Sequence, residues 1–355
     1  MPATLRYLGS LCVLALLFSS CDGIEPPEPG EMADWIRIDN ENLTEPFLSP
    51  SELNIDANGD LWLQSTFPSG ADLLNGLWQY NGQDWNLYQT FLDSFPDERG
   101  FRSQKIISDA SGKKWLALSE ELISFRAQEL ERFPLPDELM GDNLFPVAHA
   151  LDNDGNVIIS SGDYLGIFDG QAWELVDLPP GTQVFDLVVK PSNNEIWFGA
   201  QNGLFRYAAP QLQFFGEVDQ LDVANGTSEI RAVGLVTTLA WGQNEELWIG
   251  CTAGLIQFTG TRWNNYGQGS FATNVISISH LQVDSQGTVW LVVLGDFMRL
   301  KNDVFTTYQS PTANQCNTGN CTNQIFGLAI DQLDRKYVLW EVTPGNIQIY
   351  RTDQD

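Results

Sequence analysis

Leu53-Asn54-Ile55-Asp56-Ala57-Asn58-Gly59-Asp60-Leu61-Trp62-Leu63, followed by Gly76-Leu77-Trp78-Gln79-Tyr80 and Gly82-Gln83-Asp84-Trp85-Asn86-Leu87-Tyr88, is a phrase that this chain repeats. It reads as an apolar strand, a tight polar turn, a tryptophan-centred strand, a glycine-led aromatic strand and a last strand that opens on an aromatic residue. It returns around Trp115, Ile158, Trp197, Trp248, Trp290 and Tyr337, each preceded by a polar turn and followed by a strand such as Gly203-Leu204-Phe205-Arg206-Tyr207 or Gly254-Leu255-Ile256-Gln257-Phe258. The equivalent positions lie 53, 43, 39, 51, 42 and 47 residues apart. A period of about 40 to 50 residues is that of propeller blades rather than helical repeats.

Short apolar/polar alternation, rich in Val, Ile, Trp, Tyr and Phe and broken by Asp-x-x-Gly or Asn-Gly turns, predicts antiparallel hairpins. Helical spacing is sustained nowhere. The predicted fold is all-β, a seven-bladed β-propeller with four antiparallel strands per blade. The seventh copy ends after its third strand, whereas Asp34-Trp35-Ile36-Arg37-Ile38 stands alone before the first copy and has the form of a fourth strand. Ring closure is predicted if that N-terminal segment joins the last blade, because closure removes exposed strand edges.

Asn194-Glu195-Ile196-Trp197-Phe198-Gly199 with Gly203-Leu204-Phe205-Arg206-Tyr207 resembles the two-component regulator propeller repeat, in which Asp-x-x-Gly-x-Leu-Trp-Ile-Gly precedes Gly-Leu-x-Arg-Tyr. The resemblance covers nearly all of residues 34–355, with Ile158 and Tyr337 in place of the central tryptophan in blades three and seven. It implies a sensing or binding propeller, since such propellers often form the periplasmic part of hybrid histidine kinases. No transmembrane, kinase or regulator segment is read here, so signalling by this chain alone is not expected.

The first residues read as a processing signal. Arg6 precedes an apolar run from Tyr7 to Phe18, too short to span a bilayer, and Ser19-Ser20-Cys21 closes it. The small residues before Cys21 resemble a bacterial lipobox, which predicts a lipoprotein signal peptide over 1–20 and lipid attachment at Cys21; an ordinary cleaved signal is the alternative. Residues 21–33, rich in proline and acid, are expected to form an extended tether, and 34–355 the propeller. The acidic stretch beside the anchor also resembles the surface-export signals of Bacteroidetes lipoproteins. The expected location is therefore the outer membrane, lipid-anchored and surface-exposed, with the periplasmic face as the alternative.

Cysteine usage fits an oxidising compartment. Cys251 reads as a core residue, while Cys316 and Cys321 flank a four-residue loop containing Gly319 and are expected to form a disulfide. With Arg6 removed, 17 basic residues face 46 acidic ones, a net of −29. Such a surface repels phosphate backbones and anionic headgroups, so nucleic acid is excluded as a partner and membrane contact is expected through the lipid alone.

No catalytic residue or metal site is assigned, and no cofactor is expected. His149 and His280 fall in first strands of blades three and six, too far round the ring to share a proton or a metal ion. The turn at Asp152-Asn153-Asp154-Gly155-Asn156 invites a calcium reading, but Ser161 stands where an EF-hand-type loop needs its bidentate acid, and a hairpin turn capped by its own aspartate accounts for it.

Function is expected at the rim carrying the second-to-third-strand turns and the inter-blade connections. Three stretches read as long loops there: Phe67 to Leu74, Phe91 to Arg102 and Asp219 to Leu235. Arg99, Arg102 and Arg231 suit a carboxylate or sulfate, and Phe67, Phe95, Phe101, Tyr164 and Phe271 a sugar or peptide face. The reading is a monomeric module that binds a glycan, peptide or envelope protein without covalent chemistry. The alternatives are a propeller enzyme, such as a polysaccharide lyase or glycosidase, and the sensing partner of a separate membrane signalling protein.

Overall fold

The computed structural model describes residues 35–38, 49–69, 72–88, 105–118, 120–127, 129–140, 148–266, 277–308, 324–343 and 346–353. Among these the chain forms seven antiparallel blades, six as four-stranded sheets and one extended to six strands. Blade one is representative: Ser49–Ile55, Leu61–Ser69, Asp72–Tyr80 and Trp85–Leu87 run from the centre of the ring outward. First strands of neighbouring blades from two to seven pack on one another around the axis, that of blade seven (Gln324–Ile330) packs on that of blade one, and blades one and two meet through a shared core, which closes the ring.

Closure takes the predicted form. Ile36–Ile38 is the outer strand of blade seven, with Ile36, Arg37 and Ile38 opposite Arg351, Tyr350 and Ile349. Trp35 reaches back to blade six, its ring 5.5 Å from that of Phe297. At the seam the backbones meet closely, since a Cβ on Gly327 would lie 2.9 Å from the Leu53 nitrogen.

Each core lies between two blades. Leu53, Leu63, Trp78 and Trp85 of blade one are buried against Ala329, Tyr337, Leu339 and Ile349 of blade seven and against Ile38. Six further clusters fill the other junctions in the same way. The central tryptophans serve as inter-blade wedges; truncating one to alanine is expected to cost about 3 to 5 kcal/mol.

Two stretches read as loops are ordered hairpins instead. In blade one the second and third strands continue as a paired ribbon, with Phe67 opposite Leu74 and Ser69 opposite Asp72. Between blades four and five, Glu217–Asp222 and Ser228–Ala232 form a hairpin whose inner strand pairs in parallel with Trp263–Asn265, the fourth strand of blade five. Alternating burial of Val218 and Gln220 explains the docking: Val218 joins the blade-four/blade-five core, and the buried Asn265 side chain donates to Gln220. Sequence alone shows that alternation only weakly, because Asp219, Leu221 and Asp222 blur it. Among the described residues no helix is long and apolar enough to cross a membrane.

Candidate functional site

The two faces of the ring are built differently. One carries the turns between first and second strands. In each Asp-led turn the carboxylate caps its own backbone: Asp56 Oδ1 accepts from the Asn58 and Asp60 N–H groups at 2.8 and 3.1 Å, and Asp284 Oδ1 from Gln286 and Thr288 at 3.1 and 2.8 Å. The other oxygen is left for the residue six positions on, so Trp62 and Trp290 donate to Asp56 and Asp284 at 3.0 and 2.9 Å, and the Tyr337 hydroxyl donates to Asp331 at 3.2 Å. That geometry accounts for the Asp-x-x-Gly-x-x-Trp spacing in blades one and six; in blade two the Trp115 indole N–H makes no such bond. Asp152 is likewise spent on its own turn, accepting from Asp154 and Asn156 N–H groups and, through Oδ2, from the Asn156 side chain at 2.7 Å. Among the described residues no three His, Cys, Asp or Glu side chains gather as a metal site.

A second structural layer surrounds the axis. First strands of blades one, four, five, six and seven each carry a register shift, and such bulges re-aim side chains. The polar residues at these points join neighbouring blades. Asp186 of blade four accepts from the Leu239 N–H of blade five at 2.7 Å, and the Thr237 hydroxyl donates to the Ile278 carbonyl of blade six at 2.5 Å. His280 of blade six bonds the Phe326 carbonyl of blade seven at 3.0 Å, and His149 of blade three bonds the Lys105 carbonyl beside blade two. Because a carbonyl only accepts, Nε2 of each imidazole carries the proton, and His280 Nδ1 accepts from the Ser279 hydroxyl at 3.0 Å. Burial pushes both histidines down to about 4, with the Lys105 charge adding to the effect at His149. Both rings are neutral inter-blade ties. Sequence placed them in the right strands, but nothing in it announced the bulges that turn Asp186, Thr237 and His280 toward a neighbour.

The opposite face carries the second-to-third-strand turns and the inter-blade connections. Its described turns include Gly162-Asp163, Gln201-Asn202, Thr252-Ala253 and Leu294-Gly295. Asp163 Oδ1 accepts from the Gly181 N–H at 2.7 Å and fixes the connection from blade three to blade four. Tyr164, partly buried, follows it at the start of a third strand. Leu294 stands out: it is 53% exposed and sits at φ 52, a left-handed conformation that bulky side chains avoid. Beside it, burial raises the Asp296 carboxyl above the usual range.

Of the residues singled out for binding, Tyr164 lies on this rim, whereas Arg231 belongs to the hairpin on the perimeter of blade five and is bonded to Glu229 and, at 3.9 Å, to Asp222. Arg231 is therefore not on a loop at the channel mouth. Phe67 lies in the blade-one ribbon. Phe95, Arg99, Phe101, Arg102, Phe271, Cys21, Cys316 and Cys321 fall outside the described residues. Cys251 is the core residue expected, buried, with its thiol pushed up to about 12 by burial.

No family model and no curated protein matches this sequence. Solved structures do. Virginiamycin B lyase from Staphylococcus aureus, in a catalytically inactive form with quinupristin, shares 13% identity and superposes with a TM-score of 0.63 over 90% of this chain and 98% of its own. An extracellular domain from B. thetaiotaomicron, assigned to a hybrid two component system, shares 17% identity with a TM-score of 0.61 over 89% of this chain and 39% of its own. PorZ, a surface component of the type-IX secretion system of Porphyromonas gingivalis, shares 14% identity with a TM-score of 0.61 over 84% of this chain and 46% of its own. The chain shares their propeller fold. The second of these structures is of the kind to which the repeat pointed.

Proposed function

We propose that this chain is an envelope lipoprotein whose propeller captures a peptide, protein or glycan at the rim of the second-to-third-strand turns, without covalent chemistry. The observation that carries this reading is the asymmetry of the faces. On one, the described first-to-second-strand turns are short and their leading aspartates are consumed by the fold. On the other, connections range from the two-residue turn Leu294-Gly295 to residues 88–106, 266–277 and 309–323 between successive blades. Variable connections on a rigid ring are where binding specificity is usually built.

The surface-associated relatives in fold support a binding or scaffolding role in the envelope. The lipid at Cys21, the tether 21–33 and the Cys316–Cys321 disulfide belong to the same proposal. The enzymatic alternative finds less support, because His149 and His280 are each committed to a backbone carbonyl.

The test is a screen of the purified chain against glycan arrays and solubilised envelope proteins, repeated with residues 89–104 replaced by a short Gly/Ser linker, which leaves Tyr88, Lys105 and Ile106 in place. Saturable binding lost in the replacement supports the rim. Binding that survives it, or turnover of a polysaccharide, rejects this reading.

A further inference from the structure

The hairpin on blade five ends the sheet with a free edge. Its outer strand Ser228–Ala232 pairs only with its inner strand among the described residues, and Ile230 at its centre is 74% exposed. The Val233 N–H donates to the Gly216 carbonyl and the Asp222 N–H to the Thr227 carbonyl. Bonded pairs alternate along an antiparallel ladder, so Arg231 and Glu229 face inward to Val218 and Gln220. The backbone N–H and C=O groups of Ser228 and Ile230 and the N–H of Ala232 consequently point outward along the open edge, while the Ala232 carbonyl already accepts from the Gln220 side chain at 3.4 Å.

We infer that this edge is a self-complementary interface, on which a second copy of the chain adds its own Ser228–Ala232 strand antiparallel about a two-fold axis at Ile230. In that register Ile230 meets its counterpart in a hydrogen-bonded pair, and Ser228 meets Ala232 of the other copy in the flanking pairs. Glu229 then lies directly opposite Arg231 of the other copy, twice, in the non-bonded pairs whose side chains approach most closely. Within one copy the Arg231 guanidinium is already bonded to Glu229, so the dimer face becomes an alternating square of two acids and two bases. Charge also selects this register. Moving the second strand by two residues either way keeps the outward groups paired but sets Glu229 against Glu229, or Arg231 against Arg231. The second copy is the occupant favoured because Glu229 and Arg231 stand two residues apart on one strand, so the edge is its own charge complement and locally offsets the repulsion that the net charge of −28 sets between copies. The sequence reading expected a monomer; the inferred edge-to-edge dimer departs from that expectation.

The experiment is sedimentation equilibrium of the purified chain up to about 1 mM, the order of effective concentration that tethering supplies. The parent is expected to dimerise. Arg231→Glu and Glu229→Arg are each expected to raise the dissociation constant about tenfold or more, since both opposed pairs become like-charged. Mixing the two variants restores association as a heterodimer, and the double exchange E229R/R231E alone restores a homodimer. A mixture that recovers association excludes misfolding as the cause of the single losses. A parent that stays monomeric throughout, a dimer indifferent to Arg231→Glu, or variants that fail to recover on mixing would overturn the inference.

Discussion

Lys336, the first residue of the second strand of blade seven, places its ammonium 3.4 Å from Asp284 Oδ2 of blade six, with both side chains fully buried. The same carboxylate oxygen accepts from Trp290, over whose ring the ammonium also lies, 5.1 Å from the centroid. Among the described residues the arrangement recurs once. Lys114 of blade two sits 3.0 Å from Asp56 of blade one and 4.7 Å from the Trp62 centroid. Burial pushes the Asp56 carboxyl up, but hydrogen bonds from Lys114 and Trp62 outweigh it and hold the group below its ordinary range. The two locks occupy the junctions between blades six and seven and between blades one and two. They therefore flank, on either side, the blade-seven/blade-one seam where the ring is closed.

Removing one member of such a pair leaves the other charge in the interior. Lys336→Met is expected to destabilise the chain by about 3 kcal/mol, and Asp284→Asn by a similar amount, whereas the double variant recovers a large part of the loss. Denaturant unfolding of the four proteins measures the coupling. Additive losses would mean that the two groups do not interact.

His149 and His280 give a pH dependence of known sign. Their folded values of about 4 lie below the ordinary 6.5, so the unfolded chain binds protons first, and stability falls as pH drops from 6.5 toward 4. Each ring is expected to cost about 2 kcal/mol by pH 5. Unfolding midpoints at pH 7 and pH 5 should differ in the parent and converge in His149→Gln/His280→Gln. An equal acid loss in that variant would assign the effect to carboxylates.

The blade count and the split seventh blade were legible because they rest on local chemistry: Asp-x-x-Gly turns, tryptophans at fixed offset and the strand alternation around Leu61-Trp62-Leu63. The rim was not legible to the same degree. Whether Phe67 to Leu74 is a loop or a longer ribbon depends on cross-strand pairing. Whether Arg231 faces a ligand or Glu229 depends on the parallel docking of Gln220 beside Trp263, between residues far apart in the chain. The bulges that turn Asp186 and His280 toward neighbouring blades are likewise products of ring packing and leave no composition signal.

The closing strand contributes three paired residues and the Ile38 side chain, buried in the seam core. Deleting residues 35–38 strips these contacts together with the Trp35 packing on Phe297. The melting temperature is expected to fall by well over the roughly 2 to 4 °C that one kcal/mol costs a large domain. A loss within about a degree would show that the ring is held closed elsewhere.

Anchoring is tested apart from the fold. Cys21→Ser is expected to abolish acylation and move the chain from the membrane to the soluble fraction, because a lipid chain is the only attachment proposed. Retention of the variant in membranes washed at high salt would reject the lipoprotein assignment.

Leu294 links stability to the proposed rim. With Gly295 it forms a two-residue turn in which both φ values are positive, 52 and 92, a geometry that Asn-Gly adopts without strain. A leucine there costs about 1 kcal/mol that asparagine would not, and its side chain is held out in solvent rather than buried. Strain of this kind persists where the surrounding structure imposes it, and it often coincides with a binding surface. Leu294→Asn is therefore expected to raise stability by about 1 kcal/mol while weakening capture of whatever partner the screen identifies, since the exposed apolar contact is lost. Calorimetry of the free variant and titration of the partner read the two effects separately. If stability rises and affinity is unchanged, the residue is only a costly turn, and the contact surface lies on another part of the rim.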